Sequence, residues 1–400
     1  ILYDGNRYLT PTVEPVSSPS HDRYENQRVT EFSAYAQDKL EFQDFIINAG
    51  LRFEHFNPHS LHVADLLDPR GELAASEPKN LLLPRLGVSF PITEYGIIHF
   101  SYGHFAQMPR LRNMFVNPEF EFALGQVPTF GNANMRPERT VQYEVGLQQQ
   151  VGGEMAFDVT GFFKDIRDYL ALQRMRFSTI AGEDQYDIYL NRDYANVKGL
   201  TFSLTKRRAP GGLLSATLDY TYQVAEGNNN SSDAFFFNFL SGRETPLEVI
   251  PLDFDQRHVV NSTVTVSRPG NWGVSFIGQF ATGYPYTPLI FSQNLDILPN
   301  SERKPAQSRL DAHLFKDFSI GGTSIRTFAR VYNVLDRLNE RYVFDDTGRA
   351  GYSLNAERNQ HAVWEPRYGM PGIQTLDQYD TRPHWYSEPR EILLGVRFSF

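Results

Sequence analysis

Three histidines, His55, His59 and His62, stand four and three residues apart, the spacing that would place metal ligands on one helix face. Pro58 interrupts such a helix and no carboxylate follows until Asp65, so a turn-rich segment is the competing reading. Asp345-Asp346 ahead of Gly348, and Asp253 with Asp255, offer oxygen donors for calcium. Neither pair has the spacing of a complete calcium loop, and ordinary turn chemistry accounts for both. Residues 336–388 concentrate Trp364, Tyr368, Tyr379, His384, Trp385 and Tyr386 with Arg367 and Arg382. Aromatic faces stack on sugar rings or apolar ligands, and Arg clamps carboxylates. The same side chains would serve equally as loop packing or as an aromatic girdle. Tyr284 and Tyr286 are further loop candidates for ligand contact. The run Phe235-Phe236-Phe237-Asn238-Phe239 would either meet a partner or bury itself against neighbouring loops. No nucleophile elbow, phosphate-binding glycine loop or paired catalytic carboxylate stands in a readable context, so a non-enzyme without a cofactor is expected.

The bulk properties narrow what could position these groups. The 400 residues carry 38 Lys+Arg and 47 Asp+Glu, a net charge of −9, which argues against a nucleic-acid partner. Cysteine is absent, excluding disulfides, thiolate metal sites and a cysteine nucleophile. Aromatics make up 14% of the chain, with 31 Phe and 21 Tyr against six Met, a balance that favours strands. Mean hydropathy is −0.42, and no apolar run approaches the roughly 18 residues of a membrane helix. Ile1-Leu2-Tyr3-Asp4-Gly5 has neither an initiator Met nor the pattern of a signal peptide.

Two-residue alternation dominates the chain. Phe45, Ile47, Ala49, Leu51 and Phe53 alternate with Ile46, Asn48, Gly50, Arg52 and Glu54. Leu214, Ala216, Leu218, Tyr220 and Tyr222 do the same, as do Ile392, Leu394, Val396, Phe398 and Phe400. Such segments predict roughly thirteen strands, near 29–41, 44–55, 81–91, 96–106, 138–151, 154–168, 195–207, 212–224, 257–267, 271–282, 307–317, 323–335 and 389–400. Most exceed the five or six residues usual in globular sheets and match the ~9–11 that a tilted strand needs to cross a bilayer. Short connections with turn chemistry (91–96, Gly152-Gly153, 209–212, 268–271, Gly321-Gly322) alternate with long ones near 56–80, 107–137, 169–194, 225–256, 283–306 and 336–388. That alternation is the pattern of an all-β, antiparallel transmembrane barrel with short periplasmic turns and long extracellular loops. Residues 1–28 read as an extracellular loop with the end of a preceding strand, and 29–400 as the barrel. Thirteen strands, an odd number with both ends descending, cannot close alone, because single-chain bacterial barrels have even strand counts, so the expected barrel is incomplete. Arg52, Glu54, Glu144, Asp158, Lys164, Asp219 and Arg397 fall on the polar faces and are expected to point into the lumen.

Several phrases, in order along residues 30–400, resemble the barrel of the TonB-dependent receptor family. They are Tyr35-Ala36-Gln37-Asp38, Leu83-Pro84-Arg85-Leu86-Gly87, Ser101-Tyr102-Gly103, Phe162-Phe163-Lys164-Asp165-Ile166, Lys198-Gly199, Asp255-Gln256-Arg257-His258, Gly283-Tyr284-Pro285-Tyr286-Thr287-Pro288, Asn333-Val334-Leu335-Asp336 and the terminal Phe400. Thr201-Phe202 stands where that family commonly has an acidic residue. The resemblance implies a 22-stranded barrel of which this chain forms about the last thirteen or fourteen strands. It also implies a plug domain, which the lumen-facing charges would contact, and a missing N-terminal region that engages the inner-membrane protein TonB. The implied setting is the outer membrane of a Gram-negative bacterium, and the implied role is uptake of a metal chelate, a glycan or a peptide. A passive channel is an alternative, as is a structural barrel held in a surface assembly by lipoproteins or other subunits. A secreted β-rich enzyme is the remaining possibility.

Overall fold

The computed structural model describes residues 2–3, 11–12, 28–122, 127–180, 182–228, 249–289, 298–320, 323–354 and 382–399. Thirteen long strands follow one another: β1 (Thr30–Glu41), β2 (Ile46–Asn57), β3 (Lys79–Thr93), β4 (Gly96–Gln107), β5 (Glu138–Val151), β6 (Met155–Thr179) and β7 (Gly182–Lys206). After them come β8 (Leu214–Gly227), β9 (His258–Arg268), β10 (Trp272–Ala281), β11 (Gln307–Ile320), β12 (Thr323–Tyr332) and β13 (Glu391–Ser399). Each pairs antiparallel with its neighbours in sequence, giving one long meander whose edges are β1 and β13. Among the described residues these two edges do not pair with each other, so the sheet is open. No helix among the described residues is long and apolar enough to cross a membrane; one short helix, α1 (Leu111–Phe115), follows β4.

Register carries the alternation of single strands across the whole sheet. Directly opposed residues share a face. One row runs Ile98, Leu147, Val159, Phe202, Tyr220, Val260, Phe280, each opposite the next. The adjacent row, on the other face, runs Gln148, Asp158, Ser203, Asp219, Asn261, Gln279, Arg309. The apolar face leaves Phe53, Leu82, Phe100, Val145, Leu200, Phe276, Leu314, Leu394 and Phe398 exposed. A continuous apolar surface of this extent marks an interface with something non-aqueous.

The turns at one rim are tight. Gly152, Gly211 and Gly270 take φ of +64°, +75° and +68°, the left-handed conformation that a Cβ disfavours. Long connections all leave the opposite rim, as the alternation of short and long predicts. One expectation is corrected. Residues 169–194 are not an irregular loop: β6 and β7 continue as a hairpin to Thr179 and Gly182, 25 residues each. A register shift at Ile166–Tyr169, with Asp168 at φ +59°, marks where the hairpin leaves the main sheet.

If the apolar face meets hydrocarbon, the two faces must respond oppositely to charge. Val145→Arg, at the middle of the apolar band, should cost about 2–4 kcal/mol of folding stability in lipid vesicles. Gln148→Arg, on the polar face, should stay within about 0.5 kcal/mol. Urea titration of the vesicle-folded protein reads both, and equal losses would count against the assignment of faces.

Candidate functional site

The long connections fold onto one another at the upper rim. Over β2–β7 they build a cap with its own apolar core. Helix α1 buries Met114 and Phe115 against Phe56, Ala133, Met135 and Leu170. A second cluster joins Val63, Phe130, Phe177, Tyr186 and Ile188. Phe130 is fully buried, with Phe122 edge-on at 5.1 Å and Tyr186 at 4.9 Å. The Tyr186 hydroxyl donates to the Leu66 carbonyl at 2.8 Å, and burial pushes its pKa up, helped by the Asp65 carboxylate. Arg174 and Asp187 form a buried two-point ion pair at 2.6 and 2.8 Å across the hairpin. Thr129–Phe130 adds a short parallel strand beside Asp187–Ile188.

The other half of the rim is braced by carboxylates and an asparagine. Asp255, fully buried, accepts from the Ala225 backbone N–H at 2.9 Å, from Arg257 Nε at 2.8 Å and from Arg303 Nη2. Arg303 also donates to the Asp255 carbonyl at 2.7 Å. One side chain thus ties β8, β9 and the segment at 302–303 together. Asn333, at φ +50°, donates to the carbonyls of Arg337 and Glu388, each at 3.0 Å. Asp336 takes the Arg390 N–H at 2.8 Å and its guanidinium at 3.1 Å. Glu340 holds the Arg349 guanidinium at 2.7 Å and the Ala350 N–H at 2.6 Å. Burial pulls the Glu340 carboxyl upward, but Arg349 and the Ala350 N–H outweigh it and hold its pKa below the ordinary carboxylate value. The Arg390 backbone and side chain do the same for Asp336.

Of the aromatic and basic loop candidates, Arg382 and Trp385 are brought together. The Arg382 guanidinium lies 4.6 Å from the Trp385 ring and 5.0 Å from Phe344, and Tyr342 stands 6.3 Å from Trp385. Among the described residues the Arg382 Nε is buried without a hydrogen-bond partner. His384 meets Trp385 edge-on at 6.4 Å. Tyr284 and Tyr286 lie on a separate short hairpin, Pro285–Tyr286 against Glu302–Arg303. Burial raises the Tyr286 pKa, and the carboxylates of Glu302, Asp345 and Asp346 raise it further. Trp364, Arg367, Tyr368, Tyr379, the phenylalanine run 235–239 and Phe400 lie outside the described residues.

The three histidines separate: His55 bonds Asn80 at 2.8 Å, His59 bonds Thr30 at 2.9 Å and His62 approaches Asn134 at 3.4 Å. Asp253 accepts from Asn300 at 2.7 Å, and Asp346 from Ser353 at 2.9 Å. These are turn and loop contacts.

The charged residues of the polar faces all sit on the inward-row parity. Arg52 bonds Glu54 at 2.6 Å, Glu144 accepts from Ser101 at 2.7 Å, and Asp158 accepts from Thr160 at 2.9 Å. Asp219 accepts from Ser203 at 2.6 Å, Lys164 lies 5.7 Å from the Phe162 ring, and Arg397 stands opposite Arg326 on the edge strand. The sequence reading missed the Asp255 and Arg174–Asp187 pairs. The first has a signal in Asp255-Gln256-Arg257-His258; the second has none, because its partners are 13 residues apart on a hairpin read as a loop.

A family model described as "TonB dependent receptor-like, beta-barrel" matches residues 2–334. The chain belongs to that family. Among solved structures, it is similar to the ferric citrate transporter FecA in its unliganded form, at 15% identity and TM-score 0.54, over 93% of this chain and 45% of that one. It is similar to the copper transporter OprC at 14% identity and TM-score 0.52, covering 93% and 48%. The FrpB iron transporter from Neisseria meningitidis (F3-3 variant) matches at 16% identity and TM-score 0.52, covering 78% and 42%. The chain thus spans less than half the length of these three structures. At these identities the likeness is one of fold.

Within a TonB-dependent receptor barrel, several of the family phrases now have a physical content. Asp255-Gln256-Arg257-His258 is the rim clamp, and Asn333-Val334-Leu335-Asp336 is the turn that releases the chain from β12 and braces 388–390. Lys198-Gly199 supplies a gap: a Cβ on Gly199 would come within 2.6 Å of the Phe162 ring lying across it.

Two outcomes follow. Asp255→Ala strands Arg257 and Arg303 and should lower folding stability by about 3–5 kcal/mol, read by urea titration; a loss below about 1 kcal/mol would remove the clamp from the account. The depressed carboxylates of Asp336 and Glu340 stabilise their loop above the unfolded carboxylate pKa, about 4, and lose that contribution as pH falls through their lower folded values. Emission from Trp385, with Trp272 and Trp364 replaced by Phe, should therefore hold steady from pH 8 to about 5 and shift only below about 4. A midpoint above pH 5 would contradict the assignment.

Proposed function

We propose that this chain forms the larger wall of an outer-membrane receptor that takes up a scarce ligand actively, in a Gram-negative bacterium. The observation that carries the reading is the unbroken apolar row across the seven strands β4 to β10, backed by a polar row, in a member of this family. The two edges, unpaired among the described residues, support a larger closed barrel, because a free ladder edge is not tolerated in hydrocarbon. The 22-strand count and the plug are part of the proposal, with residues 29–400 as barrel and 1–28 as a loop and strand end. On this reading Arg52, Glu54, Glu144, Asp158, Lys164, Asp219 and Arg397 face the plug, and the partner that supplies energy is TonB, reached through a region outside this chain.

The ligand class is a metal chelate, a glycan or a peptide. The iron, ferric citrate and copper named for similar structures support the first. Trp385, Arg382, His384, Tyr284 and Tyr286, with Trp364, Arg367 and Tyr368, are proposed as loop residues that meet it. A structural barrel gripped by surface lipoproteins would use the same loops for protein contacts instead.

Uptake of labelled ferric chelates by cells expressing the full-length receptor should vanish when TonB is deleted. The purified receptor should show no steady conductance in a planar bilayer. Chelate entry that persists without TonB, together with an open ohmic pore, would establish a passive channel instead.

A further inference from the structure

The outward flank of the upper rim, where β3, β5, β6 and β7 approach one another, gathers positive charge on an acidic chain. Arg139 on β5 and Arg167 on β6 are directly opposed, on the row parity that faces outward. Like charges placed opposite each other destabilise a sheet. Arg136, Arg192 and Lys79 join Arg139 in the walls of a 590 Å³ cleft with the amides of Asn134 and Asn191. Carboxylates offset this only in part. Asp168 pairs with Arg136 at 2.6 Å and lies 3.9 Å from Arg139, Asp165 holds Arg167 at 3.0 Å, and Glu77 lines the cleft. The side chains of Arg136, Arg139 and Arg167 remain 58%, 53% and 59% exposed.

What lies beneath them matters as much. Below Arg139 the same outward row continues through Val141, Tyr143 and Val145; below Arg167 it continues through Asp165 to Phe163. Tyr102, Tyr143 and Phe163 form a ladder of rings at 5.2 and 6.4 Å. Aromatic ladders of this kind sit at the membrane–water boundary of outer-membrane barrels. The cations therefore stand at headgroup depth, above an aromatic belt and an aliphatic band with which they are continuous.

We propose that this flank docks the phosphate-bearing headgroup of a glycolipid in the outer leaflet. The guanidinium groups of Arg139, Arg167 and Arg192 take the phosphates, where Arg offers paired donors to paired oxygens. Tyr102, Tyr143 and Phe163 lie along the acyl chains. A soluble phosphate would share the headgroup chemistry, but the outward parity and the apolar rows directly below favour a ligand anchored in the bilayer. The inference rests on the membrane reading above.

The test uses the full-length receptor released from membranes in mild detergent. It is exposed to a diphosphorylated glycolipid or to its dephosphorylated counterpart, and retained lipid is counted by native mass spectrometry. The wild type should retain the phosphorylated form in clear preference, and Arg139→Gln/Arg192→Gln should lose about thirtyfold of that preference. Arg139→Lys/Arg192→Lys, which keeps the charge, should retain most of it and shows that loss in the Gln variant is not misfolding. Equal retention of both lipids by the wild type, or full retention by the Gln variant, overturns the proposal. Complete displacement by millimolar inorganic phosphate also overturns it, in favour of a soluble anion. A receptor that never enters the membrane fraction fails at the earlier reading, and that fractionation is scored separately.

Discussion

Hydrocarbon offers no hydrogen bonds, and every backbone N–H and C=O at membrane depth must find its partner within the protein. The antiparallel meander answers this with a ladder that continues from β1 to β13 without a crossover. Once the ladder is fixed, the pleat leaves each strand two faces and no other freedom. A one-residue slip anywhere would send a polar row such as Asp158, Ser203 and Asp219 into lipid. Register is therefore specified along the whole sheet by the side chains, and the turns need only be short. Their glycines at 152, 211 and 270 supply the left-handed backbone that a tight reversal requires.

The same constraint relaxes at the upper rim, and the chemistry changes there. Where water is available, loops can be tied by charge. Asp255, Asn333, Asp336 and Glu340 each satisfy backbone groups that no ladder reaches, while guanidinium partners neutralise the three carboxylates among them. Inside the sheet, on the inward face, packing uses another device. Phe162, Phe315 and Phe328 each lie over a glycine on the neighbouring strand, Gly199, Gly273 and Gly395. A ring covering a bare stretch of backbone shields its hydrogen bonds and fills space next to the pleat.

The strands were legible because a half-lipid, half-water environment writes itself as alternation. All thirteen segments read from the sequence correspond to the thirteen strands, with the β5 bounds 138–151 recovered without change. The hairpin at 169–194 was not legible for a related reason. Leu170, Ala171 and Leu172 are buried at successive positions because cap loops cover both faces of the strand there. Burial on both sides erases the period of two. The rim contacts were visible only as phrases without a role, since Asp255 and Arg303 are distant in sequence and meet only when the long loops fold. Grouping Trp385 with Arg382 was legible from composition, whereas the Phe344 ring that completes their stack was not.

Charge placement follows from depth as well. The chain is acidic overall, and the outward row from Ile98 to Phe280 carries no charge. Just above the band, Arg139 and Arg167 face each other outward, a juxtaposition that sheet packing alone disfavours. Below it, Arg268 and Lys316 flank the outward Trp272, their stems able to lie along apolar surface while their heads reach water. Cations thus border the band at both rims on the outward face. Inward, acids and bases pair, as Arg52 with Glu54 and Arg326 with Asp317, even where Arg397 stands opposite Arg326. A water-filled interior screens either sign, so mixed pairs suffice there. An anionic headgroup of the kind proposed for the outward flank favours cations at the height where it lies.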